Sequence, residues 1–264
     1  MKMSDNTILI TGGTSGIGLE LARQLSALGN TVIVTGRDPF RLDAARVIDG
    51  LHAFYADVGD PESLRILHRR VVREFPDLGI LINSAGIMRT IDLRQGGTSL
   101  EDLTREIQVD LNGTIWMNAL FLPHLMRRQR AAILNVSSAL AFLPLPTSPV
   151  YSAAKAAIHS YTRSLRMQLK DTGVSVFELA PPSTDTSLYR GLHGAGADSG
   201  TRPMPVEALA TEAIEGMQGD RLEIRPGLSN VLKLMSRVAP DLVLRRMRGA
   251  VQRMQTAPAL DAGH

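Results

Sequence analysis

The sequence predicts an α/β protein built on one doubly wound parallel sheet in three layers, and three observations point there. Short β-branched runs alternate with longer helix-like segments along most of the chain. The runs are apolar on both faces, as strands covered by helices on both sides must be. The intervening segments are long enough for the crossover helices that parallel strands require. With 264 residues, 23 glycines and 44% hydrophobic content, the chain suits a single globular domain, 1–264, with many tight turns.

Taken in order, TILI at 7–10 reads as the first strand, followed by a helix that closes at Gly29 after LARQLSAL, where glycine tolerates a left-handed C-terminal turn. TVIVT at 31–35 and HAFYAD at 52–57 are the second and third strands. Asp60 and Pro61 open the third helix, a cap acceptor followed by a proline at the first helical position. ILIN at 80–83 is the fourth strand, a long helix is expected from Leu100, and AILNVSS at 132–138 is the fifth strand. YSAAKAAIHSYTRSL forms a helix from Tyr151, and VSVFELA at 174–180 is the sixth strand. The Gly-, Ala- and Ser-rich stretch at about 188–205 is expected to be one mobile loop inside the domain. The C-terminal extension, about 226–264, mixes Leu, Val and Met with Arg and is broken by Pro240. It is expected to pack on the domain or on a neighbouring subunit.

Composition excludes several function classes. A net charge of +3 is small for this length, and no aromatic stacking platform accompanies it, so nucleic acid is not an expected partner. With no cysteine there is neither disulfide nor thiol catalysis, and the six histidines show no ligand spacing, so no metal is assigned. No leader or apolar run of transmembrane length is visible, so a cytoplasmic protein without membrane contact is expected.

The first strand runs into TGGTSGIG and then a helix. In that context Gly12 permits a tight turn, Gly16 lets backbone approach a pyrophosphate, and Gly18 lets helix and strand pack closely, with phosphates at the helix N-terminus. The turn residues Gly12, Thr14, Ser15, Gly16, Ile17 and Gly18 are therefore candidate dinucleotide contacts in a Rossmann-type fold. The second strand ends VIVTGRD. Gly36 stands where an acid would bind a ribose 2′-hydroxyl, and Arg37, suited to a 2′-phosphate, follows it, so NADP(H) is favoured over NAD(H). Asp38 keeps NAD(H) open, since a shifted register would let it act as the acid.

Tyr151 and Lys155 lie four residues apart on that helix, in a chain with only four lysines and four tyrosines. They share one helical face. An ammonium about 4 Å from a phenol contributes roughly 4 kcal/mol at an effective dielectric near 20, about three units off a tyrosine pKa of about 10. Tyr151 is thus expected to exchange protons near neutrality.

Together these segments resemble the short-chain dehydrogenase/reductases in their single-domain form, from Thr7 to about Arg225. The resemblance rests on TGGTSGIG, Asp57 with Val58, NSAG at 83–86, Ser138 thirteen residues before Tyr151, Lys155, and PPSTDT at 181–186. ALGNTVIVTGR, SAGIMR, LAFLPL and KAAIHSY are most similar to a DltE-like oxidoreductase subgroup. The resemblance implies that Tyr151 is the acid/base and also borders the cofactor, that Lys155 lowers its pKa and holds the nicotinamide ribose, and that Ser138 polarises the substrate oxygen. It implies that Asp57 and Val58 meet the adenine and that Asn83, Ala85 and Gly86 line the adenosine. Pro181, Thr184 and Thr186 would hold the carboxamide and diphosphate. A homodimer or homotetramer is implied in the same way.

Three departures stand out. VDLNG places Asp110 where the family commonly has the Asn of a proton relay to the lysine, so Asp110 is a candidate catalytic residue that could also blunt the effect of Lys155 on Tyr151. Ser84 replaces a second Asn, which is expected to loosen the central sheet. Pro182 replaces a glycine in the nicotinamide loop, which it is expected to displace. The apolar, proline-containing ALAFLPLPTSPV, with Leu188, Tyr189 and Leu192, predicts a hydrophobic pocket. The expected activity is NADP(H)-dependent reduction of a hydrophobic ketone or aldehyde, or oxidation of the corresponding secondary alcohol. The alternative is a dinucleotide-binding sensing or scaffolding protein with little catalysis, and a third is an epimerase or dehydratase on the same scaffold.

Overall fold

The computed structural model describes residues 1–193 and 202–239, with isolated positions from 241 to 249. Seven parallel strands form one sheet: β1 (Thr7–Thr11), β2 (Thr31–Gly36), β3 (Leu51–Tyr55), β4 (Leu78–Asn83), β5 (Ala131–Val136), β6 (Val174–Leu179) and β7 (Glu223–Ile224), in the order β3-β2-β1-β4-β5-β6-β7. The helices are α1 (Gly16–Ala27), α2 (Pro39–Arg46), α3 (Pro61–Glu74), α4 (Leu100–Leu103), α5 (Gly113–Leu125), α6 (Pro149–Gln168), α7 (Ser187–His193), α8 (Val206–Gln218) and α9 (Ser229–Val238).

Alternation along each strand sends successive side chains to opposite faces. Ile8, Ile10, Val32, Val34, Ile80 and Ile82 meet Leu21 and Leu25 of α1 and Leu209 and Ala213 of α8 on one face. Leu9, Ile33, Leu81 and Ile133 meet Leu64 and Leu67 of α3 and Met117 and Phe121 of α5 on the other. This is the predicted three-layer, doubly wound arrangement. The strand order reverses between β1 and β4, so the crevice where such sheets bind ligands lies at the C-terminal ends of those two strands.

The predicted helix punctuation holds. Gly29, at φ 82°, follows α1, and the Asp60 carboxylate accepts from the Glu62 N–H at 3.0 Å to cap α3. Four details differ from the sequence reading. The third and fifth strands end at Tyr55 and Val136, two residues early. The helix expected from Leu100 is broken: α4 stops at Leu103, and a π-helical turn, Ile107–Asn112, precedes α5. Residues 187–193, partly assigned to a loop, form α7, and 194–201 lie outside the described residues. The two-residue strand β7 is too short to leave a periodic signal. The extension packs on the domain as far as α9, where Lys233 pairs with Glu223 of β7 at 2.5 Å.

Ser84 does not leave the centre of the sheet untied. Its N–H and that of Ala85 donate to the Thr11 hydroxyl at 3.1 and 3.2 Å. Beneath them, Asn83 donates to Asn118 at 2.7 Å and to Asn135 at 2.9 Å, and Asn135 donates to Thr162 at 3.0 Å. These buried amides tie β4 and β5 to α5 and α6. Asn135→Ala would leave several of them unpaired in the core and is expected to destabilise the fold by about 2–3 kcal/mol, measured as a lower urea midpoint at unchanged slope.

Candidate active site

The glycine turn is built for close approach. Gly12 and Gly16 have φ of 65° and 52°, a region that L side chains rarely occupy. A Cβ on Gly12 would lie 2.7 Å from Cα of Ala85, and one on Gly18 would lie 2.5 Å from the Gly12 carbonyl oxygen. The turns after β1 and β4 therefore stack backbone on backbone, with α1 directly against them. Ser15 precedes α1 in extended conformation without a side-chain cap, so no side chain there competes for the first amides of the helix, donors suited to an anion. A Cβ on Gly16 would be 3.4 Å from the Thr186 methyl, which brings the loop after β6 to the glycine turn. Ile17 packs against the core beneath. This cradle fits a dinucleotide.

At the end of β2, Gly36 pairs with Tyr55, and a Cβ there would lie 2.4 Å from the Thr14 hydroxyl. Asp38 caps α2: Oδ1 of its carboxylate accepts from the N–H groups of Phe40 and Arg41 at 2.9 and 3.2 Å. Arg37 is half-exposed, with Nη1 3.3 Å from Oδ2 of Asp57. Asp57 also accepts from the Gly59 N–H at 2.9 Å, so its carboxylate holds the turn and the guanidinium together. The Val58 side chain and carbonyl pack toward Gly113, and the Asn83 side chain is engaged in the amide network.

Pro149 begins α6; Tyr151 in its first turn and Lys155 one turn further on are both buried. The Lys155 ammonium lies 5.4 Å from the centre of the Tyr151 ring. It is 3.3 Å from Oδ2 of Asp110 and donates to the Val136 carbonyl at 3.2 Å. Asp110 sits in the π-helical turn. Its Oδ1 accepts from the Ile87 N–H at 2.8 Å, and Oδ2 has no hydrogen-bond partner beyond that ion pair. A Cβ on Gly86 would be 3.0 Å from this oxygen, so the glycine gives the carboxylate its room. The Asp110 carbonyl accepts from the Thr114 hydroxyl at 2.7 Å, which occupies one of its two lone pairs.

Ser138 lies in the turn after β5, where it caps the 3₁₀ turn Ala139–Ala141: its hydroxyl accepts from the Leu140 N–H at 3.1 Å, and its dipole favours the ionised form of the Tyr151 phenol. Backbone bonds flank it on both sides, from Ser137 N–H to Leu179 and from Ala139 N–H to Pro181, each 2.8 Å. The second bond joins Ser138 to the loop carrying Thr184 and Thr186. That loop is fixed despite Pro182. Thr184 donates to the Pro182 carbonyl at 2.9 Å, and the backbone of 183–185 is bridged to Met204. Leu188 and Tyr189 lie on α7, while Leu192 falls outside the described side chains.

The electrostatics correct one expectation. Burial pushes the Tyr151 phenol above the ordinary tyrosine range; Lys155 and Ser138 oppose this, but the Asp110 charge adds to it. Burial pulls Lys155 down, and Asp110 and Tyr151 outweigh that, holding the ammonium above the ordinary lysine range. Burial likewise pushes Asp110 up, against Lys155 and the Ile87 N–H. Desolvation and the Asp110 carboxylate together outweigh the Lys155 charge, so Tyr151 is not drawn down toward neutrality.

A supporting ion pair was not anticipated from sequence. Arg89 grips the buried Glu106 through Nε at 3.0 Å and Nη2 at 2.6 Å, and Asp102 through Nη1 at 2.9 Å. It pins the chain after β4 to α4 and to the residue that leads into the π-helical turn. The signal available was a lone arginine in SAGIMR, which proximity in sequence connects to nothing. Among the described residues no group of His, Cys, Asp or Glu could hold a metal ion, and no helix is long and apolar enough to cross a membrane.

This fold, with a glycine-lined nucleotide cradle beside a buried Ser, Tyr and Lys, defines an NAD(P)-dependent oxidoreductase class, and the chain belongs to it: the short chain dehydrogenase family model matches residues 6–194. The sequence is 47% identical over 189 residues to the uncharacterized oxidoreductase DltE of Bacillus subtilis (strain 168), covering 71% of this chain and 75% of that protein. It is 34% identical over 194 residues to the uncharacterized oxidoreductase SSP0419 of Staphylococcus saprophyticus, covering 71% and 82%. Among solved structures it resembles a short-chain dehydrogenase from Sphingobium yanoikuyae in complex with NADPH, with TM-score 0.75, 27% identity and 98% of each chain covered. A short chain dehydrogenase from Burkholderia cenocepacia J2315 in complex with NADP shares the fold at TM-score 0.79 and 22% identity, over 94% of this chain and 99% of that one.

Proposed function

We propose that this enzyme uses NADP(H) to reduce a hydrophobic ketone or aldehyde, and can run in reverse on the secondary alcohol. The observation that carries the proposal is the buried cluster of Tyr151, Lys155, Asp110 and Ser138 at the ligand end of the sheet. Gly12, Thr14, Ser15, Gly16, Ile17 and Gly18 would cradle the diphosphate with Thr184 and Thr186. Arg37 would meet the 2′-phosphate, and Asp57, Val58, Asn83, Ala85, Gly86 and Pro181 would border the remainder. Bound there, the nicotinamide supplies the hydride.

The residues of the chain handle the proton. Ser138 directs its hydroxyl at the carbonyl oxygen, and Tyr151 donates from its phenol as negative charge develops there. Lys155 stabilises the phenolate left behind and itself rests on Asp110. A phenol kept protonated by burial is a donor at neutral pH, which supports the reductive direction. The segment 139–150, with Leu188 and Tyr189, would form the apolar wall. Arg37 without an acid at Gly36 supports NADP(H). The reading extends to a single-domain cytoplasmic protein acting as a homodimer or homotetramer.

The test is oxidation of NADPH and NADH by the purified protein over a panel of apolar aldehydes, ketones and diketones. Turnover with NADPH on apolar members is expected. Tight NADPH binding without turnover of any member would count for a sensing or scaffolding role instead.

A further inference from the structure

Glu178 is a buried carboxylate near the C-terminal end of β6, between Asn135 of β5 and Glu223 of β7 in register. Nothing in the proposed proton path uses it. Desolvating such a group is costly, and an aliphatic side chain of similar volume would fill a strand position at no such expense. Its contacts explain why a carboxylate stands there. Oε1 accepts from the Ser137 hydroxyl at 2.5 Å. Nδ1 of His159 lies 3.0 Å from Oε1 and 2.8 Å from Oε2, so that nitrogen carries the proton and donates.

Each partner leads to the candidate active site by a different route. Ser137 directly precedes Ser138. His159 lies on α6, one turn beyond Lys155 and two beyond Tyr151. The His159 ring also meets Phe142 edge to face at 5.1 Å, and Phe142 follows the 3₁₀ turn that Ser138 opens. The turn is thus gripped at both ends: through the Ser137 hydroxyl before it and through the Phe142 ring after it. From the far side the Lys233 ammonium of α9 lies 5.0 Å from the Phe142 ring centre while paired with Glu223. The other charges around this cluster are Arg166, whose guanidinium bonds the Val176 and Leu222 carbonyls at 2.9 and 2.8 Å, and Arg225, 2.8 Å from Glu223.

We propose that Glu178 is a positioning residue: by holding Ser137 and His159 at once, it fixes the turn bearing Ser138 against the helix bearing Tyr151 and so sets how those two hydroxyls face one another. The proposal rests on the reading of Ser138 and Tyr151 as the reacting pair. The placement itself can be measured without substrate.

The chain has four tyrosines, so full-length protein labelled with ¹³C at tyrosine Cζ gives a countable spectrum in which Tyr151→Phe assigns one signal. Glu178→Gln and Ser137→Ala are expected to move the Tyr151 signal in the direction that Ser138→Ala moves it. Glu178→Gln added to Ser138→Ala is expected to move it no further, because the coupling runs through that hydroxyl. His159→Asn, which keeps a donor near the Nδ1 position, is expected to stay close to wild type, and His159→Leu is not. Should Glu178→Gln fail to fold, Ser137→Ala and the two His159 variants carry the same comparison. A folded Glu178→Gln with the Tyr151 signal unmoved, or shifts that simply add in the double variant, would overturn the proposal. In turnover, Glu178→Gln is expected to lower kcat about tenfold or more with the KM for NADPH unchanged, and to have no further effect beside Ser138→Ala. The NMR coupling without turnover by wild type would support the placement and count against the reductase reading alone.

Discussion

Tyr151→Phe is expected to lower reductase turnover by about a thousandfold, the middle of the range for a lost general acid, or about 4 kcal/mol in the barrier. The substitution removes one oxygen from a buried ring. The ring still packs beside Lys155, and Lys155 keeps its contacts with Asp110 and the Val136 carbonyl. The cradle at Gly12, Gly16 and Gly18 lies on other elements, so NADPH affinity is expected to stay within about twofold of wild type. Single-turnover NADPH oxidation beside a fluorescence titration separates the two quantities. Retained turnover would remove Tyr151 from the acid/base role.

Asp110→Asn is expected to move the pH profile. The Asp110 charge raises both Tyr151 and Lys155, so removing it lowers both. Reduction needs the protonated phenol, and the alkaline limb of kcat is therefore expected to shift to lower pH. The same change bears on folding. Lys155 held above its ordinary value contributes stability that is fully present below the unfolded lysine pKa and is lost as pH rises through the folded one. The variant leaves a buried ammonium without its counter-charge, and a loss of up to about 3–5 kcal/mol is expected at neutral pH, narrowing in alkali. Urea denaturation at several pH values checks the sign. An unmoved pH profile would mean that Asp110 does not tune the site.

What the sequence carried were the features written in neighbouring residues. Strand runs such as TVIVT, the glycine turn, the Asp60–Pro61 cap and the four-residue step from Tyr151 to Lys155 are local, and each appears where it was read. What it lacked was set by partners far along the chain. The π-helical turn at Ile107–Asn112 carries an aspartate that meets a lysine 45 residues later, and it follows a glutamate gripped by an arginine 17 residues before it. The upward shift of Tyr151 depends on burial by several elements together. Ser137 shows the same division. Alternation along the strand sets it on the opposite side from Ser138, but its hydroxyl finds Glu178 only once β6 lies beside β5. Asp38 was ambiguous as a letter and became a helix cap once the backbone bent into α2.

Thr14 resting on Gly36 has a consequence for how coenzyme preference could change. In a dinucleotide fold, the simplest exchange of NADP for NAD would place an acid at the end of the second strand. Here any Cβ at that position would lie 2.4 Å from a hydroxyl of the phosphate turn, nearer than two such atoms can stay. An aspartate could enter only with a smaller residue at 14, and the Arg37–Asp57 pair would still hold a guanidinium beside it. On the proposed reading, coenzyme choice is therefore a joint property of two loops: an acid at 36 requires the Thr14 side chain to give way, so the end of β2 and the glycine turn must change together.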